Sequence, residues 1–112
     1  MCIRDRTGAI YTYEELKELA KILLKYPQVL ILSDDIYEKI LYDNVEFHTI
    51  AEVEPELKDR TITMNGVSKA YCMTGWRLGY CGGPKEIIVG MNKIQSQSTT
   101  STSSITMAAD EA

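Results

Sequence analysis

Two cations stand eight residues apart in a run of small and apolar side chains, Gly66-Val67-Ser68-Lys69-Ala70-Tyr71-Cys72-Met73-Thr74-Gly75-Trp76-Arg77-Leu78-Gly79. An ammonium ion among such neighbours loses part of its hydration, which favours the uncharged, nucleophilic amine of Lys69. Arg77 offers a planar fork of donors that matches a phosphate. Amine and phosphate clamp together are what is needed to hold a phosphorylated aldehyde as a Schiff base. On spacing alone, a turn carrying two solvated cations is the favoured alternative. The order of the surrounding elements decides between them.

Upstream, Val29-Leu30-Ile31-Leu32 is a continuous apolar run, as expected for a strand buried on both faces of a parallel sheet. It leads into Ser33-Asp34-Asp35-Ile36-Tyr37-Glu38. Carboxylates at the carboxyl end of a buried strand sit where open α/β sheets bind their ligands. The plainer alternative is that Asp34 or Asp35 caps a turn, and the strand alone does not separate the two. Arg60-Thr61-Ile62-Thr63-Met64-Asn65, rich in β-branched residues, reads as the next strand, and Gly66 opens the loop that holds Lys69. Arg77-Leu78-Gly79-Tyr80-Cys81-Gly82 reads as a further strand whose glycines permit close packing or a bulge. His48, the single histidine, has no Ser, Cys or carboxylate at a diagnostic position and reads as structural or surface.

Helices must hold these strands in place. Thr12-Tyr13-Glu14-Glu15 fits a capping box, and Leu16, Leu19, Ala20, Leu23 and Leu24 follow at helical spacing. Pro27 stops that helix, because the residue before a proline is pushed out of the helical region. Ile50 to Lys58 carries a weak helical tendency around Pro55. Pro84 suits the first position of another helix, with Ile87, Ile88, Met91 and Ile94 as its apolar face. Gln95 to Ser104 is biased toward small polar residues and, taken alone, is a flexible linker. Ile105 to Ala112 resembles the first turns of a helix capped by Ser103 or Ser104, and its abrupt stop suggests truncation. At the other end, Met1-Cys2-Ile3-Arg4-Asp5-Arg6 has no periodicity and reads as a non-native leader.

Composition narrows the classes. At 112 residues the chain holds one modest core and not two domains. A hydrophobic content of 45% argues against disorder of the whole chain. A net charge of -4 disfavours nucleic acid or an anionic membrane as main partner. No apolar run approaches membrane-spanning length. Cys2, Cys72 and Cys81 are an odd number without metal-ligand spacing, most simply free thiols in a reducing compartment, the cytosol.

The succession of a strand, Asp34-x-x-Tyr37, a second strand, the Lys69 loop and Arg77 resembles the class I/II aminotransferases, fold type I enzymes dependent on pyridoxal 5'-phosphate. The matching stretches are Ser33-Asp34-Asp35-Ile36-Tyr37, Asn65-Gly66-Val67-Ser68-Lys69, Met73-Thr74-Gly75-Trp76-Arg77-Leu78-Gly79-Tyr80 and Gly83-Pro84-Lys85-Glu86. The resemblance implies an α/β fold, residues 7–112 forming part of a large cofactor-binding domain truncated at both ends, with a mostly parallel sheet flanked by helices. It implies that Lys69 forms the internal aldimine and then moves a proton between the substrate Cα and the cofactor C4' carbon. Such transfer is commonly worth about 10²–10⁴-fold. Asp34 would keep the pyridine nitrogen protonated so that the ring acts as an electron sink. Tyr37 would donate to the phenolic oxygen, and Arg77 would clamp the phosphate with help from Ser68.

Within the family, Met73 to Arg77 and Lys93 to Thr99 look most like prokaryotic aspartate aminotransferases of the Ib type. That implies aspartate and a 2-oxo acid such as 2-oxoglutarate as substrates, a cytoplasmic homodimer, and no nucleic-acid or membrane partner. It also makes the Ser/Thr tract a helix end and ordered connection. The chain departs from the family pattern in three places. The hydroxyl often found three residues before the lysine is Gly66 here, Asp5-Arg6 replaces the usual Asn-Pro, and Cys72 replaces a commoner Ala, Ser or Asn. The family's phosphate-binding loop, its ring-stacking aromatic and the arginine for the substrate carboxylate lie in segments this chain does not contain, so the fragment alone is expected to be inactive. Two other functions share the motif set. One is a different reaction on the same cofactor; the other is a cofactor-sensing aminotransferase-like domain of a transcription regulator.

Overall fold

The structure is a computed structural model that describes residues 7–99 and 101–110. The expected leader, Met1 to Arg6, lies outside the described residues.

The first helix, α1 (Tyr13–Leu24), starts on the predicted box. The Thr12 hydroxyl accepts from the Glu15 amide at 3.2 Å and the Glu15 carboxylate accepts from the Thr12 amide at 2.8 Å. Each satisfies an amide that the helix start leaves without an intrahelical partner. Leu16 and Ala20 are the buried residues of α1, and they form the core with Ile50, Val53 and Leu57. Leu23 packs against its edge, whereas Leu19 and Leu24 face outward. Leu57 is fully buried, and truncating such a side chain costs about 2–5 kcal/mol.

Two long-range polar contacts fasten α1 in place. The Lys17 ammonium donates to the Glu54 carboxylate at 3.0 Å and to the Val53 carbonyl at 3.3 Å. The hydrogen bond to Glu54 holds Lys17 above its ordinary pKa of 10.5, outweighing desolvation, which acts the other way. At the far end of α1, the Arg60 guanidinium donates to the carbonyls of Leu23 (2.7 Å), Tyr26 (3.0 Å) and Val29 (2.7 Å). The first of these carbonyls also accepts from the Tyr26 amide at 3.0 Å, so Arg60 reinforces the turn that ends the helix.

That clamp also shifts the first strand. Val29 donates to Tyr26 in a turn and gives its carbonyl to Arg60, so the ladder begins two residues later and β1 is Ile31–Asp34 rather than Val29–Leu32. Nor is this strand covered on both faces within the chain. Ile31 packs on the core, while Leu30 and Leu32 are 61% and 63% exposed. Helix α2 (Ile50–Val53) and a 3₁₀ turn (Pro55–Arg60) lead into β2 (Thr61–Gly66), then α3 (Val67–Ala70), a second 3₁₀ turn (Thr74–Trp76) and β3 (Gly79–Gly82). The sheet order is β1-β2-β3. β1 and β2 are parallel, with Asp34 opposite Met64; β2 and β3 are antiparallel, with Gly66 opposite Gly79. The α/β fold is therefore present with a mixed sheet, β3 adding an antiparallel edge to the parallel pair. The twelve residues 67–78, with α3 and the second 3₁₀ turn, return the chain to the sheet in the opposite direction.

Helix α4 (Lys85–Ser98) begins directly after Pro84, whose carbonyl accepts from Ile87 and Ile88. It runs through the first four residues of the small polar tract, Gln95 to Ser98. Ser96 and Ser98 turn their hydroxyls back onto the carbonyls of Lys93 and Ile94, satisfying themselves inside the helix. Its Ile94 is 74% exposed and no residue of α4 is buried. The last helix, α5 (Ser104–Asp110), has the expected cap, the Ser103 hydroxyl accepting from the Thr106 amide.

Candidate functional site

Because β1 and β2 run parallel in register, their carboxyl ends lie side by side. Asp34 closes β1, and the Asp35 amide extends the ladder onto the Met64 carbonyl at 2.9 Å. The two aspartates then part. Asp35 is 2% exposed and accepts from the Ser33 hydroxyl at 2.9 Å, as a buried carboxylate requires. Asp34 stays partly accessible at the strand end, and its carboxylate also accepts from the Ile36 amide at 3.4 Å. Two tight turns follow, Glu38 onto Asp35 and Ile40 onto Tyr37. Tyr37 there lines a cavity of about 240 Å³ with Ile10, Leu41, Tyr42 and Phe47.

On the neighbouring strand, Gly66 ends β2 and begins the turn of α3, so Ser68 and Lys69 project from a single helical turn rather than an open loop. Both are half-buried. The Lys69 ammonium stands 5.6 Å from the centre of the Tyr37 ring, close enough for a cation–π attraction. The structure thus brings Asp34, Tyr37, Ser68 and Lys69 to one edge of the sheet.

Arg77 reaches the same edge from the other side. It precedes Gly79, which pairs with Gly66, and its guanidinium donates to the Thr74 carbonyl at 3.2 Å. Its backbone is left-handed, φ 53 and ψ 41, as is that of Cys72 at φ 55. Non-glycine residues adopt this region only where their surroundings hold them. β2 leads into the turn of Lys69 and β3 follows Arg77, and the two segments pack tightly at Gly66. A β-carbon there would lie 2.8 Å from the Leu78 carbonyl oxygen and 3.2 Å from the Gly79 α-carbon. No side chain fits at that position without moving β3.

Two further residues support this edge, Asn65 from within the lysine stretch and Thr106, which carries no signal in the local sequence. Asn65 accepts from the Gly66 amide at 2.8 Å and so orients the start of the lysine turn. Thr106, thirty residues from the motif in α5, donates to the Trp76 carbonyl at 3.1 Å. His48 is structural, as expected: its ring meets Tyr13 edge-on at 5.3 Å. Cys72 and Cys81 are free, and the described residues hold no cluster of three His, Cys, Asp or Glu able to bind a metal. No helix of the described residues is long and apolar enough to cross a membrane.

The profile of the aminotransferase class I and II family matches residues 2–111. The chain belongs to that family. Among curated aminotransferases it is 58% identical, over 99 residues, to the aspartate/prephenate aminotransferase of Cereibacter sphaeroides, covering 88% of this chain and 25% of that protein. It is 54% identical over 106 residues to the enzyme of the same name from Nitrosomonas europaea, covering 95% of this chain and 27% of that protein. Of solved aminotransferases, the aspartate aminotransferase of Rhizobium meliloti superposes with a TM-score of 0.90 at 53% identity, covering 92% of this chain and 26% of that one. The aromatic aminotransferase of Pyrococcus horikoshii gives 0.81 at 38% identity, covering 86% and 25%. The chain thus spans about a quarter of the length of the aminotransferases it matches, and its fold is a portion of theirs.

Proposed function

We propose that this chain is the cofactor-anchoring quarter of a longer pyridoxal 5'-phosphate-dependent aminotransferase, with Lys69 as the residue that bonds to the cofactor. The observation that carries this is the placement of the Lys69 amine over the Tyr37 ring, at the sheet edge where Asp34 ends β1. The donor set fits the group: a primary amine for an aldehyde, a carboxylate for a ring nitrogen, a phenol for a phenolic oxygen and a guanidinium for a phosphate. Ser68 is the hydroxyl available to that phosphate, since a side chain at Gly66 would run into the Leu78 carbonyl.

When bound, the cofactor supplies a cationic ring that accepts the electron pair left when an amino acid loses its Cα proton. The protein's residues do the rest. Lys69 would hold the cofactor through its amine and, once the substrate amine had released it, would serve as the base that takes the substrate Cα proton and passes it on. Asp34 keeps the ring nitrogen protonated, which preserves the ring's capacity to accept electrons. Tyr37 donates to the phenolic oxygen, and Arg77 and Ser68 fix the phosphate so that the reacting bond stays aligned.

The names of the relatives support aspartate and prephenate as a substrate pair, and 2-oxoglutarate as a further acceptor follows from the family resemblance. In this reading the whole enzyme is a homodimer in the cytoplasm, a compartment consistent with the unpaired thiols of Cys72 and Cys81. The 112 residues alone are expected to be inactive, since they span about a quarter of the matched enzymes. The test is an amino-transfer assay with isotopically labelled aspartate on the longer enzyme and on this chain. Transfer of label by the longer enzyme alone is expected. No transfer from any amino acid by the longer enzyme, or turnover by these residues alone, would contradict the proposal.

A further inference from the structure

We infer that Thr106 is a positioning residue for the phosphate-binding arm, acting through the peptide bond that carries Arg77. This rests on the reading of Arg77 given above. The Thr106 side chain is 5% exposed, and its hydroxyl donates to the carbonyl oxygen of Trp76 at 3.1 Å. That oxygen belongs to the Trp76–Arg77 peptide, whose plane is the reference for the φ angle of Arg77. Arg77 sits in the left-handed region, and Trp76 is the last residue of a single 3₁₀ turn closed by a short-range bond, the Trp76 amide to the Met73 carbonyl. Such a turn does not by itself hold a left-handed arginine. A long-range hydrogen bond to the peptide at the point of strain does.

Thr106 is itself held. Its hydroxyl lies 2.9 Å from the Ser103 hydroxyl, and its amide donates to the same oxygen at 3.3 Å. The first turn of α5 is therefore fixed by its own cap before it reaches Trp76. From the opposite side, the close approach of Gly66 to Leu78 and Gly79 prevents the arm from sliding along β2. The arm is held at both ends, at Trp76 by α5 and at Gly79 by β2. Arg77 follows the first of these fixed points and precedes the second in the chain.

The test compares pyridoxal 5'-phosphate with pyridoxal, which lacks only the phosphate, as ligands of the longer enzyme. Wild type binds the phosphorylated form more tightly, and Arg77→Ala loses most of that preference. Thr106→Val keeps the shape and removes the hydroxyl. It is expected to weaken pyridoxal 5'-phosphate by about 3- to 10-fold, the range of one neutral hydrogen bond, and to leave pyridoxal unchanged. Thr106→Ser restores the preference. If Thr106→Val is recovered unfolded, Thr106→Ala, which also lacks the hydroxyl, is judged by the same two affinities. An unchanged preference, or equal weakening of both ligands, overturns the inference. Failure of Arg77→Ala to alter the preference overturns the reading of Arg77 instead, so the two failures are distinguishable.

Discussion

The Lys69 ammonium lies 5.6 Å from the centre of the Tyr37 ring, joining the turn after β1 to the helical turn after β2. These residues are 32 apart in the chain and meet because the two strands are parallel and adjacent. The ring supports the cation, and in the proposed enzyme its hydroxyl serves the cofactor.

Tyr37→Phe separates those two roles, since the ring stays and the hydroxyl goes. The longer enzyme should still bind its cofactor, but the pH at which the lysine–cofactor chromophore changes colour should rise by roughly one to two units. That is the scale of one hydrogen bond to a charged group. A spectrophotometric pH titration reads it; an unchanged midpoint would remove the phenol from the site.

Asp34→Ala tests the ring-nitrogen partner. Cofactor attachment should survive, because the amine of Lys69 is untouched. Turnover should fall by at least about 10²-fold, as Cα deprotonation loses its electron sink. Normal turnover measured by coupled assay would assign Asp34 to the turn alone.

Much of this edge was legible in the sequence because the signals were local. A capping box needs only Thr12 and Glu15, and a strand-end carboxylate needs only the apolar run before Asp34. Contacts between distant residues left no such trace. Arg60 lies 31 residues from Val29, yet its guanidinium takes that residue's carbonyl and delays β1. Ser96 and Ser98 have linker composition but bond inside α4. Leu30 and Leu32 have the composition of a doubly buried strand, but no layer of the described residues covers them. Thr106 shows nothing locally of its bond to Trp76.

Arg60→Ala should therefore act far beyond an ordinary surface change. It removes donors from the Leu23, Tyr26 and Val29 carbonyls together, and a loss of about 2–3 kcal/mol is expected. Arg60→Lys cannot span the same carbonyls with one ammonium and should recover less than half. Urea unfolding of the longer enzyme, compared across the three proteins, gives the differences. A change under about 0.5 kcal/mol, typical of neutral surface sites, would show that the clamp is not stabilising.

The most direct test of the central claim is borohydride reduction of the longer enzyme loaded with pyridoxal 5'-phosphate, followed by peptide mass mapping. A single reduced adduct on Lys69 is predicted, and Lys69→Ala should show neither adduct nor transamination. An adduct on another lysine in wild type, or an adduct with turnover in Lys69→Ala, would contradict the assignment.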